Sequence, residues 1–154
     1  GDGTVVAVGA PNYSDSDKLS KSGRVQVFER LARQWRLRGQ TLYGRNELDQ
    51  FGYAVSLSED GSRLAVSEPG LDGPAGDRAG NVRVFDYDGA ATWILTGNEI
   101  GGEAVADLFG LSLSLSGDGK RFAVGSPYHD GDEMINLSGR VRVFEYKDKS
   151  WKNV

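Results

Sequence analysis

The residues best suited to chemistry in this chain are acidic, and they gather in three loops. Asp15 and Asp17, Asp72 and Asp77, and Asp130, Asp132 and Glu133 all stand near flexible Gly or Ser. Short acidic loops can wrap a hard cation such as calcium, which takes several oxygen ligands. The loops differ in length and acid spacing, so they share no evident coordination geometry, and solvated loops have the same composition. Asp130-Gly-Asp-Glu133 is the strongest of the three as a calcium site.

Little else points to catalysis. His129 is the single histidine, so a Ser-His-Asp arrangement would have to centre on it, and a site of several histidines is excluded. No cysteine is present, which removes disulfides, thiolate metal sites and a thiol nucleophile. No carboxylate pair stands out as a glycosidase couple. The glycine-rich stretch 70–80 does not lead from a buried strand into a helix, as a phosphate-binding loop would. The expectation is therefore a protein that is not an enzyme. Eighteen basic against 22 acidic residues give a net charge of −4, without the basic excess that nucleic acid demands. No apolar run approaches the roughly 20 residues of a membrane span, so no transmembrane segment is expected. Asn12-Tyr-Ser14 and Asn136-Leu-Ser138 satisfy the N-glycosylation sequon, which matters if the chain is secreted.

The elements that must position these loops repeat along the chain. Pro11, Pro69 and Pro127 recur every 58 residues, as do Trp35, Trp93 and Trp151, and Phe51-Gly52 and Phe109-Gly110 keep the same interval. Each unit reads as four strands. The first is 51–58 or 109–116, with large residues alternating with Gly, Ala or Ser. The second, 63–67 with copies at 5–9 and 121–125, has one bulky and one small face, as Leu64 and Val66 oppose Ala65 and Ser67; the small face predicts close approach of a neighbouring sheet. The third is 23–28, 80–85 and 139–144, a half-exposed strand whose Arg24, Arg83, Arg140 and Arg142 are expected on a solvated face. The fourth follows each Trp, for which a structural place within each sheet is favoured over an aromatic carbohydrate platform. Asp60-Gly61 and Asp118-Gly119, with Asp2-Gly3 in the matching place, read as hairpin turns in which Gly takes a positive φ.

The order Phe-Gly, alternating strand, Asp-Gly, Ala-Val-Gly-Ala-Pro11 or Ala-Val-Gly-Ser-Pro127, then Gly-x-Val-x-Val-Phe resembles the FG-GAP repeat of integrin-α-type β-propellers. The resemblance covers nearly the whole chain. It implies an all-β fold, a partial β-propeller of four-stranded antiparallel blades: a partial blade at 1–48, a complete blade at 49–106 and a blade with an incomplete last strand at 107–154. Calcium-binding members carry an acidic ligand loop between first and second strands. Here Ser56, Ser58 and Arg63, and Ser114, Ser116 and Arg121, flank the Asp-Gly turns instead, leaving too few carboxylates. The resemblance further implies an interaction module of an extracellular or cell-surface protein that engages a protein or glycan; the competing reading is a propeller enzyme whose active residues lie in other blades. An open stack exposes sheet faces that need covering, whether by remaining blades of a longer protein, by copies of the chain or by a partner, and the fragment of a longer ring is the favoured case.

Overall fold

The computed structural model describes residues 2–14, 20–130 and 138–154. These form an all-β fold of three antiparallel sheets, with no helix among the described residues. The first sheet holds β1 (Val5–Ala10), β2 (Arg24–Leu31), β3 (Gln34–Leu37) and β4 (Leu42–Tyr43). The second holds β5 (Val55–Leu57), β6 (Arg63–Glu68), β7 (Asn81–Tyr87), β8 (Trp93–Leu95) and β9 (Ile100–Gly101). The third holds β10 (Ser112–Leu115), β11 (Arg121–Ser126), β12 (Arg140–Lys147) and β13 (Ser150–Asn153). Strands adjacent in sequence pair as a meander, the connectivity that short hairpin loops dictate, except that β4 and β9 return to pair with β2 and β7.

The first strand is shorter than the expected 51–58. Gly52 turns the chain at φ +86°, and Phe51 forms a parallel bridge back to Gly23 of the preceding unit, so regular pairing begins only at Val55. The fourth strand begins at or before its Trp and is broken in two. In the second sheet β8 pairs with Phe85–Tyr87 and β9 with Asn81–Val82, both on β7, and the first sheet repeats this with β3 and β4 on β2. Gly97 at φ +76° and Gly39 at φ +80° sit in the two breaks.

Alternation along β6 sends its two faces into separate cores. Leu64 and Val66 join Val25, Val27, Phe51 and Trp93 between the first and second sheets. Ala65 joins Val82, Val84, Phe122, Val124 and Phe144 between the second and third. The small face does receive a close neighbour: Leu115 N–H donates to Ser56 Oγ across the sheets at 2.9 Å. Between β1 and the Phe51-Gly52 turn the approach is tighter still, since a Cβ on Gly9 would lie 2.0 Å from the Gly52 carbonyl oxygen. Burial of these two clusters supplies the main drive for stacking.

The Asp-Gly turns form as expected, with Gly3, Gly61 and Gly119 all at positive φ. Asp60 Oδ1 accepts the Ser58 hydroxyl at 2.6 Å and the Ser62 N–H at 3.0 Å, and Ser58 Oγ accepts the Arg63 N–H at 2.9 Å. Ser116, Asp118 and Lys120 repeat the arrangement. The serines that stand where a calcium loop would carry acids therefore cap the turn. The Ser58 hydroxyl, the Ser62 N–H and the Ser62 hydroxyl together hold the Asp60 carboxyl down at about 2, against 3.8 ordinarily. A carboxylate depressed on folding stabilises the native state above its unfolded pKa, and that contribution disappears as pH falls from 3.8 through about 2. Because Asp60 is exposed, solvent screening reduces the effect to about 1 kcal/mol. Asp60→Asn is expected to cost that much in urea denaturation at pH 7 and nothing below about pH 2; a difference that persists in acid would trace the loss to something other than charge.

Candidate functional site

The most strongly built features are the two junctions between sheets, made from the same repeat positions. Trp93 Nε1 donates to the Arg38 carbonyl at 2.8 Å, and Trp151 Nε1 donates to the Thr96 carbonyl at 3.1 Å. These carbonyls are free to accept because the fourth strand breaks there. Gln40, in the first break, grips the Trp93 backbone from both sides, its Oε1 accepting Trp93 N–H at 2.8 Å and its Nε2 donating to Trp93 O at 2.9 Å. Asn98, 58 residues on, accepts the Trp151 N–H at 2.7 Å. Gly39 and Gly97 leave room for the indoles: a Cβ would meet Trp93 Cδ1 at 2.7 Å and Trp151 Cδ1 at 2.8 Å. Trp93 and Trp151 are 3% exposed, whereas Trp35, with no sheet against it, is 49% exposed.

Guanidinium groups reinforce both junctions. Arg63 forms a two-pronged pair with Asp86, donates from Nη1 to the Gly119 carbonyl of the next unit at 2.9 Å, and lies over the Tyr146 ring. The expected solvated face of the third strand does not hold for Arg83 or Arg142. Both are buried and lie over the Phe rings of Phe51 and Phe109, at 4.2 and 4.3 Å, because the face they share is covered by the neighbouring sheet. Arg83 Nη2 donates to Glu68 Oε2 at 2.9 Å, and its Nε lies 2.8 Å from Oε1 as a charge contact without an aligned N–H. Glu68 also accepts from Asn81 Nδ2 at 2.7 Å. Burial pushes the Glu68 carboxyl above its usual range, with Arg83 and Asn81 acting against that. Arg142 reaches Glu103 at 2.8 Å and the Gly101 carbonyl at 2.8 Å.

The acidic loops are less organised for coordination. Asp72 and Asp77 are exposed; Asp72 Oδ1 accepts the Arg78 N–H at 2.8 Å, while Asp77 contributes its carbonyl to Ala106 N–H. Asp130 is exposed, and Asp15, Asp17, Asp132 and Glu133 lie outside the described residues. Among the described residues no group of three or more His, Cys, Asp or Glu is placed to hold a metal ion. Asn12 is exposed, and Asn136 lies outside the described residues. His129 Nδ1 lies 3.0 Å from Asp107 Oδ1, within hydrogen-bonding distance. Asp107 Oδ2 in turn accepts the Glu103 and Ala104 N–H groups. Asp49 ties down its own loop in the same way through Arg45 and Asn46 N–H. These buried Asp residues and the Gln40/Asn98 grip were not anticipated, although their 58-residue spacing was readable.

The stacked sheets and recurrent junctions define an all-β repeat protein whose conserved-by-position polar groups join sheet to sheet. Among solved structures, a hypothetical selenium-binding protein from Sulfolobus tokodaii is similar, with a TM-score of 0.58 and 13% identity over 98% of this chain and 37% of that one. At that identity the likeness concerns the fold alone, and the chain spans little more than a third of its neighbour. No family model matches the sequence, and no curated protein does. Among the described residues no helix is long and apolar enough to cross a membrane.

Proposed function

We propose that the chain is a stretch of β-propeller serving as a non-enzymatic interaction module of an extracellular or cell-surface protein, engaging a protein or glycan through its loops and sheet faces. The observation that carries this reading is the outer face of the first sheet. By register Val6, Val8, Phe28, Trp35 and Leu37 share that face, and Val6, Val8, Trp35 and Leu37 are exposed. The counterparts of Val6, Val8 and Trp35, namely Leu64, Val66 and Trp93, are buried against a neighbouring sheet, whereas Leu95, the counterpart of Leu37, is itself exposed, so three of the four positions pack on a sheet inside the molecule. The approach of β5 to both β1 and β10 supports blades converging on an axis, as the FG-GAP-like spacing does. The well-placed charges of the junctions are engaged in structural bonds, which favours a scaffold over a catalyst.

Sedimentation equilibrium tests the outer face. The wild-type chain is expected to associate as its concentration rises, and Val8→Lys/Trp35→Lys is expected to be monomeric with an unchanged far-UV spectrum, because burying two lysines on an apolar face opposes contact. A wild-type chain that stays monomeric throughout would contradict a face built to be covered.

A further inference from the structure

The second unit holds a cavity of about 620 Å³ beside β7 and β9, bordered by Leu71, Pro74, Ala75, Asn81, Glu99 and Gly101. The sheet that carries it is packed on both faces, by the first sheet and by the third. In the first unit the same place is filled by the chain's own side chains. The registers set the equivalence: Arg24 lies between Ala10 and Tyr43 as Asn81 lies between Glu68 and Gly101. The Tyr13 and Leu71 carbonyls correspond in turn, accepting the Gly23 and Gly80 N–H groups, both at 3.0 Å. The Arg24 guanidinium lies 4.2 Å from the centre of the Tyr13 ring, and the Tyr13 and Tyr43 rings are 6.1 Å apart. In the second unit all three side chains are cut back at once, to Leu71, Asn81 and Gly101. The space that two rings and a cation fill in one unit is therefore open in the next. The backbone does not demand the glycine: a Cβ on Gly101 would find only the Gly80 carbonyl oxygen within 4 Å, at 3.8 Å.

The polar atoms that face this space are acceptors. Asn81 is 4% exposed, and its Nδ2 donates to Glu68 Oε1 at 2.7 Å and to Glu99 Oε2 at 3.4 Å. No donor among the described residues reaches Asn81 Oδ1. The described side-chain polar atoms that are both enclosed and unpaired are Arg38 Nε and Arg83 Nε alone, so Asn81 Oδ1, unpaired but not enclosed, opens to the cavity that Asn81 lines. Glu99 Oε1 is paired with Arg45 at 2.7 Å. Asp72, also on the border, accepts the Arg78 N–H and forms no ion pair among the described residues.

We infer that this cavity binds an arylalkylamine, an aromatic ring with an amino group on a short chain. The ring takes the place that Tyr43 fills in the first unit, against Leu71, Pro74 and Ala75. The ammonium takes the place of the Arg24 guanidinium, donating to Asn81 Oδ1 and facing the Asp72 and Glu99 carboxylates. A cavity left by shortened side chains accepts a molecule that resembles what was removed, as engineered apolar cavities accept benzene. A free amine and the N-terminal aromatic residue of a protein carry the same ring and ammonium. The inference rests on the interaction-module reading and gives it a ligand class.

The test is a 1H–15N NMR titration of the full chain with tyramine. Saturable shifts centred on residues 71–81 and 99–102 are expected, with a dissociation constant of about a millimolar or below for a ligand of this size. n-Butylamine, which lacks the ring, is expected to bind at least about tenfold more weakly. 4-Ethylphenol, which lacks the amine, is expected to bind about threefold more weakly, since the carboxylates it leaves are partly solvated. Gly101→Tyr restores the first-unit ring and is expected to abolish the shifts with an unchanged far-UV spectrum. Should that variant fail to fold, Glu99→Gln, at an exposed position, is expected to weaken tyramine about threefold and leave 4-ethylphenol unchanged. The peptide Tyr-Gly-Gly-Gly separates the two sources: tighter binding than tyramine assigns the site to a protein N-terminus, and weaker binding assigns it to a free amine. No saturable shift up to about 10 mM tyramine, equal binding of n-butylamine, or unaltered shifts in a folded Gly101→Tyr chain would overturn the site. Each of these leaves the interaction-module reading to the sedimentation of the first sheet.

Discussion

Glu68→Ala is expected to destabilise the chain by about 3–5 kcal/mol, the cost of leaving a buried charge without its partner. Glu68 is fully buried and Arg83 is 5% exposed, and the two meet inside the junction between the first and second sheets. Removing the carboxylate leaves the guanidinium with the long contact from Nη2 to the Tyr43 carbonyl at 3.3 Å and the face of Phe51. Asn81 loses its 2.7 Å acceptor as well. Replacing both charges, as Glu68→Leu with Arg83→Met, is expected to bring stability back to within about 1 kcal/mol of wild type, since apolar residues of similar volume escape the desolvation penalty. Urea denaturation of the single and double variants decides between these outcomes. A double variant as unstable as the single one would show that the pair contributes through geometry peculiar to this site, not through charge compensation.

The second large effect concerns one repeat position in three settings. Trp93→Ala and Trp151→Ala are each expected to cost about 3–5 kcal/mol, the range for deleting a large buried aromatic side chain. Each loss removes an inter-sheet hydrogen bond from Nε1 and a ring packed on Tyr87 or Tyr146. Trp35→Ala is expected to stay within about 1 kcal/mol of wild type, because its ring lies on an uncovered face. Equal losses at all three positions would mean that the tryptophans stabilise their own sheets and that the junctions matter little.

Much of this arrangement was legible in the sequence wherever a residue's role is set by its own unit. The second and third strands declared themselves by alternation, and the Asp-Gly turns by the positive φ they require. The favoured structural place for Trp93 and Trp151 agrees with their burial, although the partners came from the preceding unit. What was not legible depends on the neighbouring sheet. Arg83 and Arg142 lie on the polar phase of their strands and read as solvated, yet the Tyr43 and Gly101 carbonyls of the preceding sheets and the rings of Phe51 and Phe109 meet them there. Phe51 and Gly52 have a strand-like pattern but are drawn across to Gly23, which shortens the first strand. The break in the fourth strand, marked only by Gly39 and Gly97, frees the carbonyls that receive each indole. Glu68 had no repeat signal, since Ala10 and Ser126 stand at its counterpart positions. The acidic loops were the most conspicuous chemistry in the sequence, but Asp72 is engaged with its own loop backbone.

Acrylamide quenching of single-tryptophan chains, with the other two tryptophans replaced by Phe, tests most directly whether the units are joined sheet to sheet by one recurrent junction. In dilute solution Trp35 should be readily quenched with red-shifted emission, while Trp93 and Trp151 should be protected to similar degrees, matching exposures of 49%, 3% and 3%. Three equally quenched tryptophans, or a protected Trp35 beside an accessible Trp93, would contradict the junctions described here.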